Sequence, residues 1–280
     1  MKKIILLLML FCSLTTSAET RMMVPFPAGG AFDVVARQFS KFTGNKIVVE
    51  NVSGASGLIG HRQFARSAPN TLMVTSSSFY INLANKEIDL ENYIVVSVFA
   101  ESPSVLLASK NKNLSCSSIK DTSKKYFLGS AGLGHTSVFA NFITEKYSNV
   151  TEVPYKGIPQ AIIDLMSGQI DMVAGAAPTE IRPDLIPLAN SSNRTVNGIP
   201  SLRECLGTED SYQLQWILLA SPGSDLEFVN RYNLLAQTFS KDSETVESFA
   251  RRMITPVTAD VNRSTRLVQS EIKNWQKILK

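Results

Sequence analysis

The chain has 280 residues, 28 Lys and Arg against 24 Asp and Glu, a formal charge of +4 and 44% hydrophobic residues. That is long enough for one large or two moderate domains with proper cores. With the charge close to neutral and no basic block interleaved with aromatics, nucleic acid is not an expected partner.

The chain opens as an export signal. Met1-Lys2-Lys3 is basic, residues 4–11 are unbroken apolar, and Thr16-Ser17-Ala18 supplies the small residues read by a signal peptidase. Residues 1–18 are therefore expected to be removed after Ala18. Losing Lys2 and Lys3 would lower the charge from +4 to +2. The apolar run is too short to span a bilayer as a mature helix. Leu10-Phe11 before Cys12 lacks the small residue of a lipoprotein site, so export to the periplasm as a soluble protein is expected. Cys116 and Cys205 would remain. In an oxidising compartment they are either a disulfide, stabilising by about 2–4 kcal/mol, or two separately buried thiols.

A first strand ends near Val24 and breaks into Pro25-Phe26-Pro27-Ala28-Gly29-Gly30 before a helical pattern over 34–42. Strand patterns follow at 46–50, 72–76, 93–99, 105–109, 126–129, 152–155, 172–174 and 214–220. Helical spacing recurs at 137–145, 160–167, 226–239 and 265–279. This alternation predicts an α/β fold with mixed, mostly parallel sheets and flanking helices. Crossings between two lobes are expected near 101–104 and 214–221, dividing the mature chain into 19–103 plus 217–280 and 104–216.

Ligands of such sheets bind beyond the strand C-termini, where the Gly- and Ser-rich turns fall. Those turns are Gly29-Gly30, residues 51–60, Ser76-Ser77-Ser78 and the run 129–137. They offer hydroxyls and unpaired helix-start N–H groups, a neutral donor set suited to a carboxylate. Taken singly, each such turn is more often plain structure.

Other chemistries find little support. Gly54-x-x-Gly57-x-x-Gly60 lacks the opening of a dinucleotide fingerprint, Gly132-x-Gly134 lacks its third small residue, and no P-loop occurs. No cofactor is expected. The two histidines, His61 and His135, show no metal-ligand spacing, and no G-x-S-x-G elbow is present. Ser130 or Ser137 could be paired with His135 as nucleophile and base, but helix-start hydroxyls are more often caps. His135 is read as a ligand-contact or loop residue, and His61 as a partly exposed surface residue.

The ordered motifs carry a resemblance. They are Val-Pro-Phe-Pro-Ala-Gly-Gly-x-x-Asp-Val-Val-Ala-Arg (24–37), Val-Val-Glu-Asn (48–51) with its continuation to Gly60, and Gly-Ser-Ala-Gly-x-Gly (129–134). Val153-Pro154-Tyr155-Lys156-Gly157 leads to Asp164-Leu165-x-x-Gly168-Gln169-x-Asp171. Gly198-Ile199-Pro200-Ser201-Leu202-x-Glu204 and Glu271-Ile272-x-x-Trp275 follow. Across nearly all of the mature chain this set resembles the Bug receptors of tripartite tricarboxylate transporters.

The resemblance implies a two-lobed, type II-like periplasmic binding fold that closes on a small organic acid, is monomeric and serves a membrane transporter. A sensor signalling to a membrane subunit would share the same chain pattern, and an exported hydrolase using the His135 loop is the remote third reading. Carried onto this sequence, the contacts would be Phe26, Gly29, Gly30, Ala31 and Phe32, with Ser76 and Ser77 beside them. The second lobe would give Ser130, His135, Thr136 and Ser137, with Tyr155 and the Ala176–Ala177 turn nearby. Asp33 is expected as a helix cap paired with Arg37, and Lys156 and Asp171 as fold residues. The sequence departs from the family pattern at Ser53, Ser56, Ala31-Phe32, His135, Val138 and the shortened 179–189 segment. The loop changes could shift specificity toward a more apolar or aromatic carboxylate, or abolish binding.

Overall fold

The structure, a computed structural model, describes residues 20–132, 134–175, 183–209 and 211–279. The export signal, its cleavage point and Ala176–Ala177 lie outside the described residues.

In chain order the elements are β1 (Thr20–Val24), α1 (Ala31–Phe42), β2 (Ile47–Asn51), α2 (Leu58–Phe64), β3 (Leu72–Thr75), α3 (Ser78–Ala84), β4 (Ile94–Ser102) and β5 (Val105–Ser109). There follow α4 (Cys116–Lys120), β6 (Tyr126–Ser130), α5 (His135–Thr144), β7 (Val150–Pro154), α6 (Ile158–Ser167), β8 (Met172–Gly175) and β9 (Leu185–Asn190). The chain continues through α7 (Leu202–Leu206), β10 (Leu214–Ala220), α8 (Leu226–Phe239), α9 (Ser243–Ala250), β11 (Thr255–Pro256) and α10 (Val261–Ile278).

Two mixed sheets result, one in each lobe of the α/β fold, with strand orders β11-β4-β10-β3-β1-β2 and β7-β6-β8-β5-β9. The expectation of mostly parallel pairing holds for only one side of each sheet. β1 runs parallel to β2 and β3, and β6 runs parallel to β7 and β8. β10 is antiparallel to β3 and β4, β11 to β4, and β5 to β8 and β9. The physical reason is connection: β1–β3 and β6–β8 are joined by helical crossovers, which return the chain in the same direction. β10 instead re-enters its sheet from the other lobe and runs against its neighbours.

Burial follows strand position. β10 (LQWILLA) and β3 (LMVT) are buried throughout as interior strands, whereas the edge strand β2 keeps only Ile47 fully buried. Helix α1 presents Phe32, Val35, Ala36 and Phe39 to the first sheet, where Phe39 packs edge-on to Phe239 of α8.

The chain leaves the first sheet after Ser102 and enters the second at Val105. It is back in the first sheet at Leu214, whose partner is Ser102. The two crossing segments bind each other directly, the Tyr212 hydroxyl donating to Ser104 Oγ at 2.8 Å, and through Ser191 after β9: Ser104 N–H donates to Ser191 Oγ at 2.8 Å, Ser191 N–H to the Ser104 carbonyl at 2.9 Å, and Tyr212 N–H to the Ser191 carbonyl at 2.8 Å. Trp216 Nε1–H donates to Ser102 Oγ at 2.9 Å. These buried polar groups are satisfied across the crossing, so the two strands are held together where the lobes meet.

Cys116 and Cys205 form a disulfide with Cα atoms 5.3 Å apart and 89 residues of separation, tying α4 to α7. Closing a loop of that length removes denatured-chain entropy worth about 4–5 kcal/mol in the chain-entropy model. Among the described residues, no helix is long and apolar enough to cross a membrane.

Candidate functional site

A cavity of about 440 Å³ lies between the two sheets, walled by residues from both sides of the crossing. Its frame is three helix starts. Gly30, Ala31 and Phe32 open α1, Gly134, His135 and Thr136 open α5, and Gly157, Ile158 and Pro159 open α6. First-turn N–H groups lack acceptors within their helices, and the aligned peptide dipoles leave partial positive charge there. Pro159 has no N–H, so α6 offers one donor fewer than the others.

The β1–α1 loop is shaped by Asp33. Its Oδ2 accepts from Gly29 N–H at 2.9 Å and from Arg37 Nε at 3.0 Å, while Arg37 also bonds Asn51 Oδ1 at 3.1 Å. The cap position itself is Gly30, so Asp33 works from inside the first turn, a correction to its reading as the cap. Burial pushes the Asp33 carboxyl up, but Arg37, the Gly29 N–H and Asn51 outweigh it and hold it below the usual range. Gly29 has φ +79°, a conformation that suits glycine and turns the chain into α1.

Phe26 and Phe32 place their rings 4.7 Å apart, and Phe32 stacks 4.2 Å from Trp216 of β10. Phe32 is thereby fixed as an apolar wall of the cavity. Leu107, Ile158, Ile162 and Leu185 extend that wall from the second lobe.

His135 stands at the junction. Its Nδ1 lies 3.2 Å from Ser78 Oγ across the cleft, its carbonyl lies 2.8 Å from the Tyr212 hydroxyl, and its Nε2 is buried with no partner among the described residues. Burial lowers its pKa to about 3, so the ring is neutral at ordinary pH. A second bond crosses beside it, from Ser56 Oγ to the Ala131 carbonyl at 2.9 Å. Ser56 has φ +52°, ψ 37°, the left-handed region that glycine occupies at least cost. Its hydroxyl gives a reason for a serine at this strained position.

Of the contacts expected from sequence, Phe26, Gly29, Gly30, Ala31, Phe32, His135 and Thr136 line the cavity. Others are turned to structural work. Ser76 Oγ accepts from Ser78 N–H at 3.2 Å, and Ser77 Oγ from Gln215 N–H at 3.3 Å. Ser130 and Ser137 both donate to Glu152 Oε1 of β7, the latter at 2.6 Å. Neither serine bonds His135, so the nucleophile–base pairing weighed from sequence is not formed. Tyr155 donates to Asp164 Oδ2 at 2.7 Å, and burial, with Asp164 adding to it, raises its hydroxyl to about 12. Thr136 lines the wall while its Oγ1 accepts from Ala131 N–H at 2.9 Å. Asp171 pairs with Lys112 at 2.6 Å and accepts from Phe127 N–H, as a fold residue should. Lys156, in contrast, lines the cavity as an exposed side chain.

His61 is a further correction. It is completely buried rather than partly exposed, with Nε2 2.7 Å from Thr75 Oγ1 and Nδ1 2.9 Å from Asn82 Nδ2. With the amide donating, Nδ1 accepts and the proton sits on Nε2. Burial lowers its pKa to about 3. The signal for this was the i, i+3 pair His61 and Phe64 on the inward face of α2. Ser56, Ser78 and Gly157 were not singled out as contacts, because their place at the cavity depends on how the lobes meet. Among the described residues no cluster of His, Cys, Asp or Glu could hold a metal ion.

The comparisons bear on the family and the fold. The family model described as "Tripartite tricarboxylate transporter family receptor" matches residues 31–280. Protein BugT of Bordetella pertussis is 26% identical over 292 residues, covering 93% of this chain and 88% of that one. The R. palustris structure of Rpa4515 with adipate superposes with a TM-score of 0.82 at 20% identity, covering 94% of this chain and 97% of that one. MatC from Rhodopseudomonas palustris with bound malate gives 0.79 at 21% identity, with 93% and 98% covered. At those identities the superpositions speak for the fold, and the family match, spanning most of the chain, places this protein in the tripartite tricarboxylate transporter receptor family.

Proposed function

We propose that the protein is a periplasmic receptor that captures a small organic carboxylate between its lobes and delivers it to a membrane transporter. The observation that carries the reading is the convergence of three helix starts, two from one lobe and one from the other, on a single cavity. A carboxylate accepts from such N–H groups without a buried Arg clamp, so binding can remain reversible. Adipate on one structural relative and malate on another support the ligand chemistry.

The lobes in this reading are residues 20–102 with 214–279, and residues 105–209. Closure would form the Ser56–Ala131 and Ser78–His135 bonds, and opening would release the ligand. Residues 1–18 would direct export, and the mature chain would act as a monomer.

Native mass spectrometry of the purified mature protein, followed by a thermal-shift panel of mono-, di- and tricarboxylates, tests the reading. A retained organic acid or a clear rise in Tm supports it. No retained acid and no shift across the panel would overturn carboxylate capture.

A further inference from the structure

The cavity combines helix-start N–H groups with a largely apolar side-chain wall. Resting on the receptor reading, we infer that its ligand is a monocarboxylate with an apolar aliphatic or aromatic body, and that the cleft selects against a second carboxylate.

The polar part is the set of N–H groups at the starts of α1 and α5, beside His135. Around it the side-chain wall is largely apolar, made by Phe26, Phe32, whose ring lies 6.4 Å from that of His135, Leu107, Ile158, Ile162 and Leu185. Phe32 is locked between Phe26 and Trp216, so it cannot swing away to admit water or a polar group without breaking both ring contacts. An apolar ligand body gains by covering these side chains.

A second carboxylate would need its own compensating charge or donors. His135 is buried and neutral, and so supplies no positive charge. Arg37 is spent on Asp33 and Asn51 and does not line the cavity. Among the described residues, the one charged side chain on the wall is Lys156, and it is exposed. An ion pair to an exposed ammonium is weakened by water and salt. The start of α6 offers donors too, but Pro159 removes one and the flanking Ile158 and Ile162 surround it with hydrocarbon. Desolvating a second carboxylate is therefore poorly repaid, whereas a methyl or ring edge in its place is well repaid.

The test is isothermal titration of the full mature protein with two matched pairs, hexanoate against adipate and benzoate against terephthalate, with hexanamide as the uncharged control. We expect each monocarboxylate to bind at least tenfold more tightly than its dicarboxylate partner, and hexanamide to bind at least tenfold more weakly than hexanoate. Adipate or terephthalate binding as tightly as its partner, with hexanamide silent, would overturn the monocarboxylate selection and leave the carboxylate receptor intact. Hexanamide matching hexanoate, or no heat from any of the five, would overturn both.

Discussion

Gly157→Ala separates closure from folding. Gly157 has φ −176° and ψ 158°, extended backbone that alanine adopts freely. A Cβ built there would lie 2.5 Å from Pro27 Cγ and 3.2 Å from Pro27 Cδ, atoms of the opposite lobe. Carbon atoms prefer about 3.5–4.0 Å, so the lobes would have to part by roughly 1 Å at this point. Overpacking of that kind costs about 1–3 kcal/mol. If the lobes open and close as proposed, the cost falls on the closed state alone, because Pro27 and Gly157 then meet only when the lobes do. At 1.4 kcal/mol per tenfold, ligand affinity should fall by about 5- to 150-fold. The ligand-free protein should change little in stability, because the reduced entropy of its unfolded chain, about 0.4–1 kcal/mol, is offset by alanine being a poorer helix cap than glycine at the start of α6. The assay pairs titration calorimetry, using whichever of hexanoate and adipate binds the wild type, with thermal unfolding of the ligand-free variant. Small-angle scattering with ligand should also show a more extended particle. Affinity within twofold of wild type, or a ligand-free stability that falls by as much as the binding free energy does, would refute the reasoning.

Ser56→Gly should divide in the same way, through a different contact. It relieves a left-handed serine but deletes the bond to the Ala131 carbonyl, so ligand-free stability should hold or rise while affinity falls roughly 2- to 10-fold, about one neutral hydrogen bond. Acid should destabilise the protein through its histidines. His61 and His135 are held near a pKa of about 3, so the unfolded chain takes up protons first and stability present above pH 6.5 is lost as pH falls. Each histidine contributes a loss of about 2–3 kcal/mol between pH 6.5 and 4.5. Urea titrations across that range should therefore show a steep slope, and a flat profile would contradict the burial of both rings. Replacing Cys116 and Cys205 together by Ala should lower stability by about 2–5 kcal/mol, read from urea midpoints. Ligand affinity should change little, since no residue of α4 or α7 lines the cavity.

Local patterns in the chain were enough to read the α/β alternation, the Gly29-Gly30 turn into α1 and the glycine-rich loop that leads into α5. These features are written in short range: hydrophobic period, helix-start composition and turn residues act within a few positions of one another. The buried run of β10 was legible as a strand for the same reason. Its direction was not. β10 lies antiparallel between β3 and β4 because it returns from the second lobe, a fact of connection that hydropathy does not encode.

The same division runs through the site. Sequence marked a neutral, hydroxyl-rich set of loops. Only the tertiary structure spent Ser130 and Ser137 on Glu152, and Tyr155 on Asp164. A hydroxyl bonds whichever acceptor folding brings near, and these acceptors lie 9–22 residues away along the chain. His61 and His135 looked unlike one another in sequence, yet both are buried and neutral, one among Thr75 and Asn82 and the other across the cleft from Ser78. Phe32 could be seen as bulky at a glycine turn, but its fixed position comes from Trp216, nearly two hundred residues later in the chain. Short-range chemistry therefore determined which segments carry helix-start N–H groups and hydroxyls. The meeting of two lobes decided which side chains face the cavity, because that choice depends on contacts no single segment contains.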